Sequence, residues 1–96
     1  MTREEFIDEC LELIKEIEDD HNETTLFVGY LNEQILTQDF DVPLEEILAI
    51  VKKYKPIIYM HMKVTSKGDF RKLLNTDLTA EDALKRLNRE DAFFGE

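Results

Sequence analysis

Three side chains in this 96-residue chain could take part in catalysis or metal binding: Cys10, His21 and His61. A thiol and an imidazole together can form the nucleophile and general base of a covalent mechanism. The acidic residues around Cys10 argue against this, because neighbouring carboxylates raise a thiol's pKa and reduce its reactivity. His21 follows Asp19 and Asp20 and could join a carboxylate metal site, but a solvated histidine in an acidic turn is the simpler interpretation.

Other catalytic and cofactor motifs are missing from the sequence. It contains no Gly-rich phosphate loop, no paired cysteines at zinc spacing and no His-Glu-x-x-His segment. Cys10 falls among apolar residues at helical spacing, so we interpret it as a small core residue. His61 stands between two methionines and is interpreted as a partly buried histidine. We therefore expect a protein that is not an enzyme and that carries no cofactor and no metal.

Carboxylates form the most extended pattern in the chain. They recur every four residues along the first predicted helix and are concentrated at its C-terminal end, and this set is called the acidic face: Glu4, Asp8, Glu12, Glu16, Asp19 and Asp20. Like charges at i, i+4 lie roughly 5–6 Å apart and destabilise a helix slightly, and acids at a helix C-terminus oppose its macrodipole. Such local conflicts are typical of functional sites, or they are compensated elsewhere in the fold.

The opposite charge is concentrated in one later segment. Residues 52–75 contain seven bases and one acid, whereas residues 1–23 contain 10 acids and two bases. The bases, called the basic segment, are Lys52, Lys53, Lys55, Lys63, Lys67, Arg71 and Lys72. With Tyr54, Tyr59 and Phe70 available for stacking, this segment alone would suggest a nucleic-acid binder. Direct nucleic-acid binding is not expected, because a net charge of −10 repels a phosphate backbone.

The acidic face has three interpretations. It could simply be solvated, as most runs of charge are. It could pair within the molecule with the basic segment. It could also bind a basic protein, because a row of carboxylates can oppose lysines and arginines as the phosphates of a nucleic acid do.

Composition limits the class of protein. A hydrophobic fraction of 43% and a length of 96 residues suffice for one modest core, so we predict a single domain, 1–96. One cysteine excludes an internal disulfide and fits a reducing compartment. The longest nearly apolar run, Leu26 to Leu31, is far below the roughly 20 residues of a membrane span, and the acidic N-terminus is unlike a signal peptide. We expect a cytoplasmic protein without membrane binding.

The spacing of apolar residues, together with residues that begin or end helices, predicts three helices. Thr2 and Glu5 form a capping-box pattern that opens a helix over 3–20. A second helix spans 43–54, with a proline in its first turn and another proline, Pro56, that ends it. The third covers 80–90. The predicted core residues are Ile47, Leu48, Val51, Ile58, Leu13 and Ile17.

Two segments fit both helix and strand. Helix is favoured for 25–38, whereas periodicity alone does not decide for 57–64. We predict a mainly α fold, a compact bundle of about four to five helices. The alternative is an α+β domain with a small sheet formed by residues 26–31 and 57–64. Residues 20–24 are expected to form a polar connection, 70–74 one or two helical turns, and 91–96 a fraying tail.

These patterns favour a small acidic protein-binding module that acts as a stoichiometric inhibitor of a basic, nucleic-acid-handling protein. Small acidic single domains without catalytic motifs are common among phage and mobile-element inhibitors, anti-CRISPR proteins and nuclease immunity proteins. That comparison is an analogy of size and charge. The alternatives are a structural or accessory protein whose acidic face is only solvated, and a nucleic-acid binder that uses the basic segment.

Overall fold

Residues 1–90, the part of the chain that the computed structural model describes, contain six helices. They are α1 (Arg3–Glu16), α2 (His21–Thr37), α3 (Leu44–Tyr54), α4 (Pro56–Thr65), α5 (Gly68–Leu73) and α6 (Ala80–Leu87). No β-strand occurs in this range, and the two segments considered for a sheet, 26–31 and 57–64, lie in α2 and α4. The mainly α prediction is therefore confirmed, with one helix more than expected, and the α+β alternative is wrong.

The start of α1 is the predicted capping box. The Thr2 hydroxyl accepts a hydrogen bond from the Glu5 N–H at 3.1 Å, and the Glu5 carboxylate accepts one from the Thr2 N–H at 2.8 Å. The helix ends at Glu16, four residues before the predicted end, and Ile17 is already extended.

The predicted polar connection over 20–24 is wrong, because these residues begin α2. Asp20 occupies the N-cap position, and its carboxylate accepts a hydrogen bond from the Asn22 N–H at 2.7 Å. A carboxylate at this position pairs with an otherwise unsatisfied N–H and interacts favourably with the positive end of the macrodipole. Residues 18–20 thus belong to the entry into α2, which explains why α1 ends early.

At the centre of the bundle lies α3. Residues 47–51 are all buried, since α3 packs against α1, α4, α5 and α6, while α2 packs against α4. Prolines set the limits of the helix: Pro43 is its N-cap, and Pro56 is the first residue of α4, where its missing N–H has no intrahelical partner. The Cα radius of gyration, 12.4 Å, matches the roughly 12 Å expected for a compact domain of this length.

Most of the predicted core is correct. Ile47, Leu48, Val51 and Ile58 are buried. Leu13 and Ile17 are only partly buried and pack at the edge of the core, so that part of the prediction is wrong. The residues of α1 that are buried are Phe6, Ile7, Cys10, Leu11 and Ile14. Leu13 lies beside this stripe, and Ile17 follows the last turn of the helix.

The last two helices are short. Residues 70–74 overlap α5, as predicted. Thr79 caps α6, whose end at Leu87 comes before the predicted residue 90 because Asn88 adopts the left-handed conformation, with φ of 58°. A residue in this conformation typically ends a helix. The fraying predicted for 91–96 lies outside the described residues.

Candidate protein-binding site

Four carboxylates of the acidic face form one row on α1: Glu4, Asp8, Glu12 and Glu16, all exposed. Steps of four residues along a rise of about 1.5 Å per residue make this row roughly 18 Å long. Asp19 and Asp20 are also exposed, but they do not extend the row because α1 has ended before them. The expected conflict between these acids and the C-terminus of α1 is absent, since Asp20 caps the N-terminus of α2 instead.

Basic neighbours contact three members of this row without covering them. Arg3 lies 4.0 Å from the Glu4 carboxylate, Lys15 lies 3.9 Å from Glu12, and the Arg89 Nε donates to Asp8 Oδ1 at 2.6 Å. The three carboxylate side chains are still 61–65% exposed. Ion pairs at such exposed positions contribute little to stability. The row therefore remains accessible to a charged partner.

The basic segment makes its own contacts elsewhere in the fold. Lys53 pairs with Glu81 of α6, and Lys72 lies 3.7 Å from Asp69 of α5. The Nζ atoms of Lys52 and Lys63 each lie 5.9 Å from the centre of the Tyr59 ring, a cation-π arrangement. The partner of Asp8 in the α1 row is Arg89, which does not belong to the basic segment. These pairs differ from the direct pairing between the acidic face and the basic segment that the sequence suggested.

The aromatic rings considered for base stacking are largely covered. Tyr59 is only 6% exposed, and Tyr54 and Phe70 are partly buried. Stacking on a nucleic-acid base needs an open ring face. This arrangement does not favour the nucleic-acid alternative.

A groove lies beside the row, between α1 and α2. The rings of Phe6, near the start of α1, and Tyr30, in the second half of α2, stack with centroids 6.1 Å apart. Residues near the end of α1 face the start of α2. The two helices are therefore antiparallel. The groove has a volume of about 430 Å³, and its lining consists of Leu13, Ile17, Leu26, Phe27, Tyr30, Glu9, Glu16 and Glu23. We call it the α1–α2 groove.

Helical spacing explains this lining. Glu9, Leu13 and Glu16 follow one another at i, i+4 and i+7, so they share one side of α1. From α2, Glu23, Leu26 and Tyr30 have the spacing i, i+3 and i+7. Sequence reasoning missed Glu9, Glu23 and Leu26 because it treated the two helices separately. The same spacing was present in the sequence, but nothing in it showed that the two sides face each other.

Two side chains have raised pKa values here: Tyr30 in the groove lining, and Cys10, the neighbour of Glu9 in the sequence. Burial raises the pKa of the Cys10 thiol to about 12, and the Glu9 carboxylate adds to this effect. Burial also raises the pKa of the Tyr30 hydroxyl, with further contributions from Cys10 and Glu9. At neutral pH both groups are uncharged, so the charge of the groove lining comes from Glu9, Glu16 and Glu23.

The two histidines lie next to each other, although 40 positions separate them in the sequence. Their ring centroids are 5.7 Å apart in an edge-to-face arrangement, and His61 Nδ1 lies 3.4 Å from the Thr24 hydroxyl. As predicted, His21 is exposed and His61 is partly buried. Over residues 1–90, no group of three or more His, Cys, Asp or Glu side chains has an arrangement that could hold a metal ion.

Comparisons with protein-family models, with curated proteins and with solved structures find no match to this chain. None of the helices within the described range combines the length and apolar content that a membrane span requires.

Proposed function

We propose that this protein is a non-catalytic binding module that docks on a basic surface of another protein. The observation that carries this proposal is the row of exposed carboxylates on α1, whose basic neighbours leave three of its members 61–65% exposed. The row is also continuous with an apolar groove, because Glu16 belongs to both. A solvated face alone gives no reason for that adjacency.

A basic, nucleic-acid-handling protein is the class of partner that this charge pattern fits. A channel that binds nucleic acid presents lysines and arginines to successive phosphates. The α1 row presents negative charges at intervals of about 6 Å along a rigid helix, so it acts as a mimic of the nucleic acid. A module bound in this way blocks the channel stoichiometrically.

The test is affinity capture from a lysate of the source organism at low and moderate salt. The test variant carries Glu4→Lys, Glu12→Lys and Asp19→Lys; it leaves Asp8 with its partner Arg89 and leaves the groove carboxylates unchanged. A matched control carries Glu33→Lys, Asp39→Lys and Asp77→Lys at exposed positions outside the acidic face. Both variants change the net charge equally.

We expect the wild type and the control to capture the same basic protein and the test variant to lose it, with all three proteins folded at the temperature of the assay. Capture of acidic proteins, or equal capture by both variants, would overturn the proposal. If neither variant nor the wild type captures any protein, the result contradicts the proposal and favours the solvated interpretation of the acidic face.

A further inference from the structure

We propose that the α1–α2 groove recognises a basic amphipathic helix of the partner, with an apolar side chain in the groove and cationic side chains on its carboxylates. The inference rests on the proposed function and specifies the chemistry of its ligand. A ligand of the groove must supply an apolar contact, whereas a ligand of the α1 row needs only positive charge.

The apolar part of the site is large enough for a side-chain anchor. The volume of about 430 Å³ falls within the roughly 300–1,000 Å³ of ligand pockets. Leu26 is 69% exposed although it stands at the groove, between Glu23 and Tyr30. Filling the groove would remove this side chain and the partly buried Leu13 and Ile17 from water, which is the main source of favourable binding free energy.

The polar part of the site selects for positive charge. Glu9 and Glu16 line the groove from α1, Glu23 lines it from α2, and among residues 1–90 no basic residue belongs to its lining. A purely apolar ligand would cover these carboxylates without compensating their lost hydration. An acidic ligand would be repelled. A ligand with lysines or arginines beside its apolar anchor satisfies both requirements.

The groove lies between two helices, α1 and α2, and this shape fits a helical ligand. A helix between two others places apolar residues at i, i+3, i+4 and i+7 into the groove between them. Lysines or arginines flanking this stripe on both sides would then reach Glu9 and Glu16 on one wall and Glu23 on the other. The stripe and its flanks together describe a basic amphipathic helix.

The test uses a fluorescent synthetic helix of leucine and lysine, about 18 residues or five turns long, with the leucines on one face. Its counterpart has serine in place of each leucine and the same charge. Binding is measured by anisotropy for the wild type, for Leu26→Ser and for Glu23→Lys. The controls on α2 are Leu36→Ser, at a position 85% exposed outside the groove, and Glu33→Lys.

We expect the leucine peptide to bind at least about tenfold more tightly than the serine peptide, the difference that burial of one apolar side chain produces. Leu26→Ser and Glu23→Lys should each weaken its binding about tenfold, whereas both controls should change it less than about twofold. Methyl resonances of Leu13, Ile17 and Leu26 should shift when the peptide binds.

Four outcomes would overturn the groove proposal. Equal binding of the two peptides would show that charge alone is recognised, which leaves the proposed function intact. Equal effects of the groove variants and their controls would place the peptide elsewhere. Self-association that Leu26→Ser abolishes would make a second copy the occupant, through the exposed Ile57, Met60 and Val64 of its α4. Absence of binding by either peptide would contradict both proposals.

Discussion

Burial decides which of the reactive side chains in this protein can take part in chemistry. The position of Cys10 among apolar residues predicts a core residue, and Cys10 is buried. The structure adds the strength of the effect, because the thiol's pKa rises to about 12. A thiol that stays protonated at neutral pH is a poor nucleophile. Tyr59 shows the same relation, since burial raises the pKa of its hydroxyl.

The Cys10 thiol should resist modification in the folded protein. At about pH 8, a thiol reagent should label it far more slowly than in the urea-unfolded chain. The raised pKa also links stability to pH. Its contribution to the free energy of unfolding is fully present below the unfolded pKa near 9 and is lost as pH rises towards about 12.

Urea unfolding of the wild type and of Cys10→Ala between about pH 8 and 11 measures this contribution. The wild type should lose more stability than the variant over that range. Equal losses, together with rapid labelling of the native protein, would show that the thiol is accessible.

At the scale of the helices, the limits marked by a capping box or by a proline were predicted better than the boundary between α1 and α2. The capping box at Thr2 and the two prolines around α3 act through backbone geometry, so neighbouring residues suffice to predict them. The end of α1 depends on a choice between two helices. Residues 17–20 could extend α1 or begin α2, and the cap made by Asp20 stabilises the second arrangement.

The sign of the change in the free energy of unfolding caused by Asp20→Ala distinguishes these two arrangements. As the N-cap of α2, Asp20 should stabilise the fold, and its replacement should lower the free energy of unfolding by about 1 kcal/mol. If Asp20 instead ended α1, removal of a negative charge from a helix C-terminus would raise stability. Chemical denaturation of Asp20→Ala beside the control Asp19→Ala gives the answer. A stabilised Asp20→Ala variant would contradict the observed cap.

The choice between helix and strand for 57–64 could not be made from the sequence because α4 has apolar residues on several sides. Ile58, Tyr59 and Met62 are buried, while Met60 and Val64 are exposed. A short segment of this kind has no clear periodicity, and the choice is made by packing against α2 and α3. The α1–α2 groove was missed for a related reason, since it exists only where two helices meet.

At the scale of the whole molecule, the charge distribution and the fold support one account of function. The sequence places most acids in the first half of the chain and most bases in the second. In the folded structure, the contacts of Lys53, Lys72 and Lys52 include partners in α4, α5, α6 and the connection between the last two helices. The α1 row thus keeps its exposure beside an apolar groove. A basic partner would reduce the repulsion between its carboxylates.

The most direct test of this account is the salt dependence of the affinity for the captured partner. The dissociation constant should increase by at least about tenfold between roughly 0.05 M and 0.5 M salt, because added ions screen exposed charges at shorter distances. The variant with Glu4, Glu12 and Asp19 changed to lysine should bind weakly at low salt and respond little to added salt. A dissociation constant that is unchanged both by salt and by these substitutions would contradict the account.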